Sequence, residues 1–452
     1  MIEHVTQFEH HDEVTGFRPI HYLGNKSRIL DSIQSAIEAL AGADKPVCDL
    51  FTGSGVVAQR LASQRAVFAA DIQEYSRVVT SALLSPTHLP SGLVSWLMQE
   101  AEHQLEELRV DPIHNLVDYE QFAIDEALAD RPDALCNVLE YGSISAYMSE
   151  GATTRVADAL FDRLSNASRS LPHGPNTVMT RYYGGLYFGY QQALTIDSIA
   201  SAVRKLPVDF RDTAMAALLS ATSDIVATIG NQFAQPVRPR TSDGRPKRQL
   251  VAGVARKRRR SFADLYLDWL TRYQALPLAT AKHTVIRADY RDVLLKLPSD
   301  IAAIYADPPY TRDHYSRFYH VLETIALGDE PQISTMNIGG KTQLSRALYR
   351  VDRHQSPFCI KTEVRPAFRF LFSEASRLEV PLVVSYSPHS PGTVSRPLTR
   401  LLNVDELVAI AGDYFSDVTI ESAGRIAHSK LNSERLNAES SHEAEMLIIA
   451  RP

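Results

Sequence analysis

Residues Ile301 to Tyr310 read Ile-Ala-Ala-Ile-Tyr-Ala-Asp-Pro-Pro-Tyr, an apolar run that stops at a carboxylate, two prolines and an aromatic ring. This set suits the handling of a planar amino group attached to a heterocycle. Such a nitrogen is a poor nucleophile, because its lone pair is conjugated into the ring. The Asp307 carboxylate and the Pro308 carbonyl can both accept its hydrogens. Held by two acceptors, the nitrogen is biased toward a tetrahedral form whose lone pair faces an electrophile. The Tyr310 ring can stack on the heterocycle. The bland alternative for the four residues Asp307, Pro308, Pro309 and Tyr310 is a turn that ends a strand.

The elements that would position this group follow from pattern. The run before Asp307 is short, continuous and apolar, as in a buried strand. Two prolines cannot continue a ladder, so the chain must leave at the carboxyl edge of the sheet, where open α/β sheets bind ligands. A second strand, Pro46 to Phe51, carries Asp49 and is followed by Thr52-Gly53-Ser54-Gly55 and a helix from Val56. Glycines at a strand-to-helix turn let the backbone approach a ligand closely. Gly53-x-Gly55-x-x-Ala58 also fits the dinucleotide fingerprint, which makes a nicotinamide oxidoreductase the proper competitor. A third strand, Ala66 to Ala70, ends in Asp71, placed to accept from ribose hydroxyls or to cap the helix from Glu74. Further strands are expected at Thr284–Ala288, ending in Asp289-Tyr290, and at Pro381–Ser387, Asp417–Ile420 and Glu445–Ala450. Near the start, His21-Tyr22-Leu23-Gly24-Asn25-Lys26 precedes an amphipathic helix with Ile29, Leu30, Ile33, Ile37 and Leu40 on one face and Ser27 as its N-cap.

Composition sets the frame. The chain has 452 residues, 44% hydrophobic and 22% charged, enough for two or three domains of an ordinary globular protein. Cys48, Cys136 and Cys359 are scattered, so neither a disulfide framework nor a zinc site is expected. A polar terminus over 1–18 and the lack of a membrane-length apolar run point to a cytoplasmic protein with no membrane partner. The net charge is −6, yet residues 238–260 carry ten Arg or Lys and one Asp, leaving −15 on the rest. A basic segment on an acidic body is a plausible footprint for DNA. From about Leu84 to Leu278 the strand–helix alternation lapses into helical patterns. Within them, Arg181 to Gln192 is rich in aromatic residues and glycine, suited either to nucleic acid or to packing between helices. Proline, glycine and charge make Arg238–Arg260 a loop, with Arg256, Lys257, Arg258, Arg259 and Arg260 as candidate phosphate contacts.

Taken in order, these motifs resemble the Dam-type, alpha-group N6-adenine DNA methyltransferases: a glycine motif, an acidic strand end, a long insert, an Asp-aromatic pair and Asp-Pro-Pro-Tyr. The resemblance covers roughly 20–85 and 283–452. It implies a doubly wound, mostly parallel, Rossmann-like α/β sheet with a large helical insert for target recognition. The expected division is a flexible terminus over 1–18, a discontinuous catalytic domain over 19–85 and 283–452, and an insert over 86–282. It also implies S-adenosyl-L-methionine as cofactor, with Tyr22, Lys26, Asp49, Phe51, Gly53, Gly55, Asp71, Asp289 and Tyr290 around it. Asp307, Pro308, Pro309 and Tyr310 would act on an adenine flipped from double-stranded DNA, with no metal. A cognate restriction endonuclease or defence subunits would be fitting partners, and an orphan methylase is the other arrangement. N4-cytosine methylation, methylation of RNA or a protein amide, and an inactive DNA-binding subunit are the alternatives. After Tyr310, the Tyr315–Thr324 segment is expected to close over the base, with His320 as a pocket residue.

Overall fold

In the computed structural model the described residues are 17–24, 26–42, 44–109, 111–150, 158–228, 230–309, 314–387, 401–423 and 445–452. Tyr310 lies outside them. Nine strands occur among these residues: β1 (Val47–Leu50), β2 (Val67–Asp71), β3 (Thr284–Arg287), β4 (Ala303–Ala306), β5 (Thr335–Ile338), β6 (Lys341–Leu344), β7 (Leu382–Tyr386), β8 (Asp417–Ser422) and β9 (Met446–Arg451). Seven form one sheet in the order β3-β2-β1-β4-β7-β9-β8, and β5 with β6 makes a separate hairpin. The first five strands of the large sheet are parallel, while β9 runs antiparallel to both neighbours.

The two central strands show why the apolar runs are continuous. Both β1 and β4 are buried along their length, as expected for a parallel sheet covered on both faces. Their side chains alternate between two cores with the period of a strand. Cys48, Leu50, Ile304, Ala306, Leu382 and Val384 join one cluster, and Val47, Ala303, Tyr305 and Val383 the other. The second core lies against α1 (Leu30–Ala41) and α2 (Val56–Ala62), and its far end reaches Leu84 of α3 (Glu74–Leu84). Helix α1 begins three residues after Ser27, with Ile29 rather than Ser27 in the N-cap position.

Nine helices separate α3 from β3 among the described residues: α4 (Ser91–Leu108), α5 (Asp111–Leu128), α6 (Asp133–Tyr141), α7 (Ile144–Glu150), α8 (Asp158–Ser170), α9 (Tyr190–Lys205), α10 (Val208–Ile225), α11 (Arg248–Arg258) and α12 (Phe262–Gln274). They are completed by α13 (Tyr290–Leu295), α14 (Ser316–Leu327), α15 (Val364–Arg377) and α16 (Val404–Gly412) on the catalytic side. The insert has two layers. One core runs without a break from Tyr75 and Val79 of α3, through α9, α10 and α12, to Tyr319 and Leu322 of α14. A second cluster unites α5, α6, α8 and α11. Phe17, in the expected flexible terminus, packs edge-on against Tyr273 at 4.9 Å and Trp269 at 5.9 Å.

Two expectations for the middle of the chain need correction. The basic stretch is not a loop throughout, because Arg248–Arg258 is helix α11. Arg258 is not available to a ligand: its buried guanidinium pairs with Glu120 at 2.5 Å and donates to the Gly185 carbonyl at 2.8 Å. The aromatic cluster is core, with Tyr183, Tyr187, Phe188 and Tyr190 fully buried. Gln192 reads no base either, since its amide donates to the carbonyls of Lys257, Arg258 and Arg260 at the end of α11.

Removing one partner from a buried ion pair leaves an uncompensated charge, at a cost of about 3–5 kcal/mol. Arg258→Met is therefore expected to lower the urea midpoint of unfolding markedly, whereas exposed Arg169→Ala changes stability by no more than about 0.5 kcal/mol. Equal midpoints for the two variants would refute this role for Arg258.

Candidate active site

The sheet reverses its order between β1 and β4, the point at which doubly wound sheets bind ligands. The register pairs Leu50 with Ala306, so the next step sets Phe51 beside Asp307 at the carboxyl edge. On the other side of β1, Asp71 pairs with Arg287 and its carbonyl accepts from Ala288, which delivers Asp289 and Tyr290 to the same edge. A pocket of about 850 Å³, open to solvent, is lined there by Tyr22, Phe51, Asp71, Asp289, Tyr290, Asp307, Pro308 and Pro309. Five separate stretches of the chain thus meet in one cavity.

The remaining expected residues stand behind this wall. Lys26 is buried, and its ammonium bridges Asp307 Oδ2 at 2.9 Å and Glu445 Oε1 at 3.1 Å. Gly53 and Gly55 shape the turn after β1. Both have left-handed backbone, and a Cβ on Gly53 would lie 2.7 Å from the Tyr22 ring. A Cβ on Gly55 would meet Leu83 and Thr80 at 2.9 Å. The Gly53 amide donates to Asp71 Oδ2 at 2.9 Å, and Gln73 donates to Oδ1, so the glycine turn and the second strand end are tied together. Phe51 also has a positive φ of 62°, uncommon for an aromatic residue and a point of backbone strain.

Asp289 does two things at once. It lines the pocket and caps α13, its carboxylate accepting from the Arg291 amide at 2.9 Å. Tyr290 and Phe51 pack 5.3 Å apart, and Phe358 completes an aromatic corner at 5.2 Å from Tyr290 and 5.4 Å from Phe51. Across the cavity, Tyr22 stacks on Tyr319 at 4.9 Å, with Tyr315 tilted 5.8 Å away. One end of the pocket offers carboxylates and aromatic faces to a nucleoside; the other offers Asp307, a proline carbonyl and tyrosine rings to an amino heterocycle.

The electrostatics indicate what such a pocket lacks. Asp49 is buried at 1% exposure and its Oδ2 has no hydrogen-bond partner among the described residues. Burial, then the charges of Asp307 and Asp71, push its carboxyl well above the ordinary range. Asp71 is raised by burial, against the pull of its backbone donors. Asp71, Asp289 and Asp307 line the cleft with Asp49 behind it, a set that favours a ligand carrying positive charge and N–H or O–H donors.

Several lining residues carried no signal in the sequence. His354 and Ser356 lie in irregular chain and Pro357 opens a 3-10 turn (Pro357–Cys359) before α15. Glu445, just before β9, stands behind the wall with Lys26. Burial draws the His354 imidazole below its usual value. Tyr315 lines the cavity as expected. His320 does not line it. Its ring is buried one turn further along α14, where Nε2 lies 3.1 Å from the Phe233 carbonyl and Nδ1 3.4 Å from the Tyr183 hydroxyl. A carbonyl only accepts, so Nε2 carries the proton and the imidazole is neutral.

A seven-stranded sheet with this order, a switch-point pocket and acidic strand ends defines a doubly wound α/β protein whose ligand site lies beside Asp-Pro-Pro. The family model for D12 class N6 adenine-specific DNA methyltransferases matches residues 22–127 and 251–385, more than half of the chain, and the chain belongs to that family. It is 22% identical over 411 residues to the modification methylase LlaI of Lactococcus lactis subsp. lactis, covering 88% of this chain and 50% of that protein. It is also similar to the type II methyltransferase M.FokI of Planomicrobium okeanokoites, 38% identical over 99 residues, covering 22% of this chain and 13% of that one. Against M.NlaIII of Neisseria lactamica the identity is 33% over 93 residues, covering 21% and 24% respectively. The chain thus spans half or less of the length of each of these relatives.

Burial pushes the His320 pKa down to about 3, from 6.5. Its contribution to stability is therefore complete above the unfolded value and is lost as pH falls from 6.5 toward 3, by up to about 1.4 kcal/mol per pH unit. Relative to wild type, His320→Gln is expected to lose less stability between neutral pH and pH about 4.5, as followed by urea unfolding. Parallel losses in the two proteins would show that His320 does not drive the acid sensitivity.

Proposed function

We propose that this chain transfers a methyl group from S-adenosyl-L-methionine to the N6 amino group of an adenine flipped out of duplex DNA. The observation that carries this reading is the convergence of Asp307-Pro308-Pro309 with Phe51, Asp71 and Asp289-Tyr290 in one switch-point pocket. The residues fit the cofactor. Asp49, buried and with an oxygen lacking a donor, and the raised carboxyl of Asp71 suit an ammonium, a sulfonium and two ribose hydroxyls. The aromatic corner of Phe51, Tyr290 and Phe358 suits a purine face, and Asp289 its amino edge. When bound, the cofactor supplies an electrophilic methyl group.

The protein's part is positioning. A flipped base costs a few kcal/mol in lost stacking and pairing. Stacking on a tyrosine ring, the role that the Asp-Pro-Pro-Tyr motif gives Tyr310, offsets roughly 1–3 kcal/mol of this. The Asp307 carboxylate offers about four lone-pair sites, of which Lys26 takes up one through Oδ2. Another accepts one hydrogen of N6 while the Pro308 carbonyl accepts the second, turning the nitrogen lone pair toward the methyl carbon. Fixing two reactants in line can contribute about 7–11 kcal/mol to the acceleration. Lys26 is a positioning residue, holding the carboxylate in place against Glu445. A place in restriction–modification, with a cognate endonuclease as partner, is in keeping with relatives named modification methylase and type II methyltransferase.

The decisive assay is methyl transfer from radiolabelled S-adenosylmethionine to unmethylated duplex DNA, followed by nucleoside mass analysis. N6-methyladenine is expected. Label on cytosine would move the target base, and no transfer despite cofactor binding would overturn the reading. Asp307→Ala is expected to lower kcat by at least about 10³-fold, near 4 kcal/mol, while cofactor affinity by calorimetry stays within about threefold. Lys26→Met should lower kcat more than it raises KM for DNA, and an unchanged kcat would remove its positioning role.

A further inference from the structure

Several cations of the basic stretch are paired within the chain, Arg258 in the core and others at the surface. Arg240 pairs with Glu140 and Asp133, Arg245 with Asp243, Arg248 with Asp130, Arg258 with Glu120 and Arg259 with Asp125. Lys257 donates to the Val226 carbonyl at 2.9 Å and to Asn231 Oδ1 at 2.7 Å. Half of the ten positive charges are thus neutralised by carboxylates. The charge that sequence position assigned to DNA does not present one continuous surface.

A different grouping lies nearer the pocket, keeping Arg238 from the stretch and drawing the rest from α14 and the residues before α15. The segment from Asn231 to Arg238 runs along α14 and the residues before α15 as a strut. The Phe233 amide donates to the Phe318 carbonyl at 3.0 Å, the Ala234 carbonyl accepts from the Tyr349 hydroxyl, and the Val237 carbonyl accepts from Arg346 Nη2 at 2.8 Å. Arg238 is exposed at its far end. Arg353 lies over the Tyr349 ring at 5.6 Å, and the next residue, His354, lines the catalytic pocket. Arg317 projects from the first turn of α14, next to the pocket residues Tyr315 and Ser316. A polar cavity lined by Arg287, Arg350, Arg353 and His354, together with the carboxylates Glu323 and Asp352, shares Ile72, Gln73, Ser316 and His354 with the catalytic pocket.

No ion pair joins Arg238, Arg317, Arg346 or Arg353 to a carboxylate among the described residues. Glu140, which acts on Arg346, is already held by Arg240 at 2.5 Å. The arginines instead act on one another: besides burial, Arg238 draws the Arg346 guanidinium down, and Arg317 does the same to Arg353. Like charges gathered on one face without ion-paired carboxylates are unfavourable until a polyanion lies across them. Arginine is the cation suited to phosphate, through paired N–H donors. Eight residues of strut span at most about 28 Å, the reach of several nucleotides of one strand.

We propose that Arg317, Arg353, Arg346 and Arg238 form the phosphate track that seats one DNA strand across the mouth of the catalytic pocket. This rests on the reading of the chain as a DNA methyltransferase. It assigns the backbone contacts to the face built by α14 and the 231–238 strut, in place of the 256–260 run.

The test is binding of the full chain to a fluorescein-labelled, mixed-sequence duplex of about 30 bp, by anisotropy, across a salt series. Each phosphate contact contributes about −0.9 to the slope of log K against log salt. The variant carrying Arg238→Ala, Arg317→Ala, Arg346→Ala and Arg353→Ala is expected to flatten the slope by about 3.6. Lysine at the four positions keeps most of it, and Arg169→Ala on α8 leaves it unchanged. Should the fourfold variant fail to fold, Arg238→Ala with Arg317→Ala, both at exposed positions, is expected to remove about 1.8 from the slope. An unchanged slope in that folded pair, with flattening by Arg256→Ala and Arg260→Ala instead, overturns the track and leaves the enzymatic reading intact. A wild-type chain that binds S-adenosylmethionine but no duplex overturns both.

Discussion

The ion cluster of Lys26, Asp307 and Glu445 is the constraint on which the rest of the active site depends. It joins the segment before α1, the end of β4 and the start of β9, which lie hundreds of residues apart in the chain. Burying Lys26 and Glu445 is costly unless each meets a partner at close range, and Lys26 meets both Glu445 and the part-exposed Asp307. A shift in any of the three segments would leave an uncompensated charge in the interior. The geometry at Asp307 is therefore set by burial energetics as much as by the strand that carries it. The same logic fixes the opposite wall, where Asp71 accepts from the Gly53 amide and makes the glycine turn follow the second strand.

Much of the sheet was legible because parallel strands buried on both faces leave unbroken apolar runs. The segments before Asp71, Asp289 and Asp307 all became strands within a residue or two of where pattern placed them, and all three carboxylates line one pocket. The wall formed by His354, Ser356 and Pro357 was not legible, because an irregular segment has no periodicity to announce it. Glu445 was hidden for a related reason: one charge at the head of an apolar strand looks like a solvated end, and only the fold shows that it faces Lys26.

Charge misled where apolar pattern did not. The run Arg256–Arg260 stands out in the sequence, yet Arg258 is the core of a buried pair and Arg259 is tied to Asp125. The arginines that lie together near the pocket are scattered over more than a hundred positions and make no run at all. Linear charge density reports composition, whereas surface potential depends on which carboxylates the fold brings alongside. For Arg181–Gln192, where the sequence left nucleic acid and packing between helices open, the fold takes the second: the tyrosines are core and Gln192 ties α9 to the end of α11.

The two-layered insert has a consequence for how such a chain can diversify. Helices α9, α10 and α12 share an uninterrupted apolar interior with α3 and α14, the helices that flank the pocket. Helices α5, α6, α8 and α11 gather around a second cluster, which Tyr190 and Leu194 of α9 join from the inner layer. A lineage could replace or resize that outer layer while leaving the reaction centre in register. An exchange that cut through the inner helices would instead have to rebuild the support of the pocket itself. The seam between the layers, more than the points where the insert enters and leaves the chain, marks the natural boundary between a constant engine and a variable attachment.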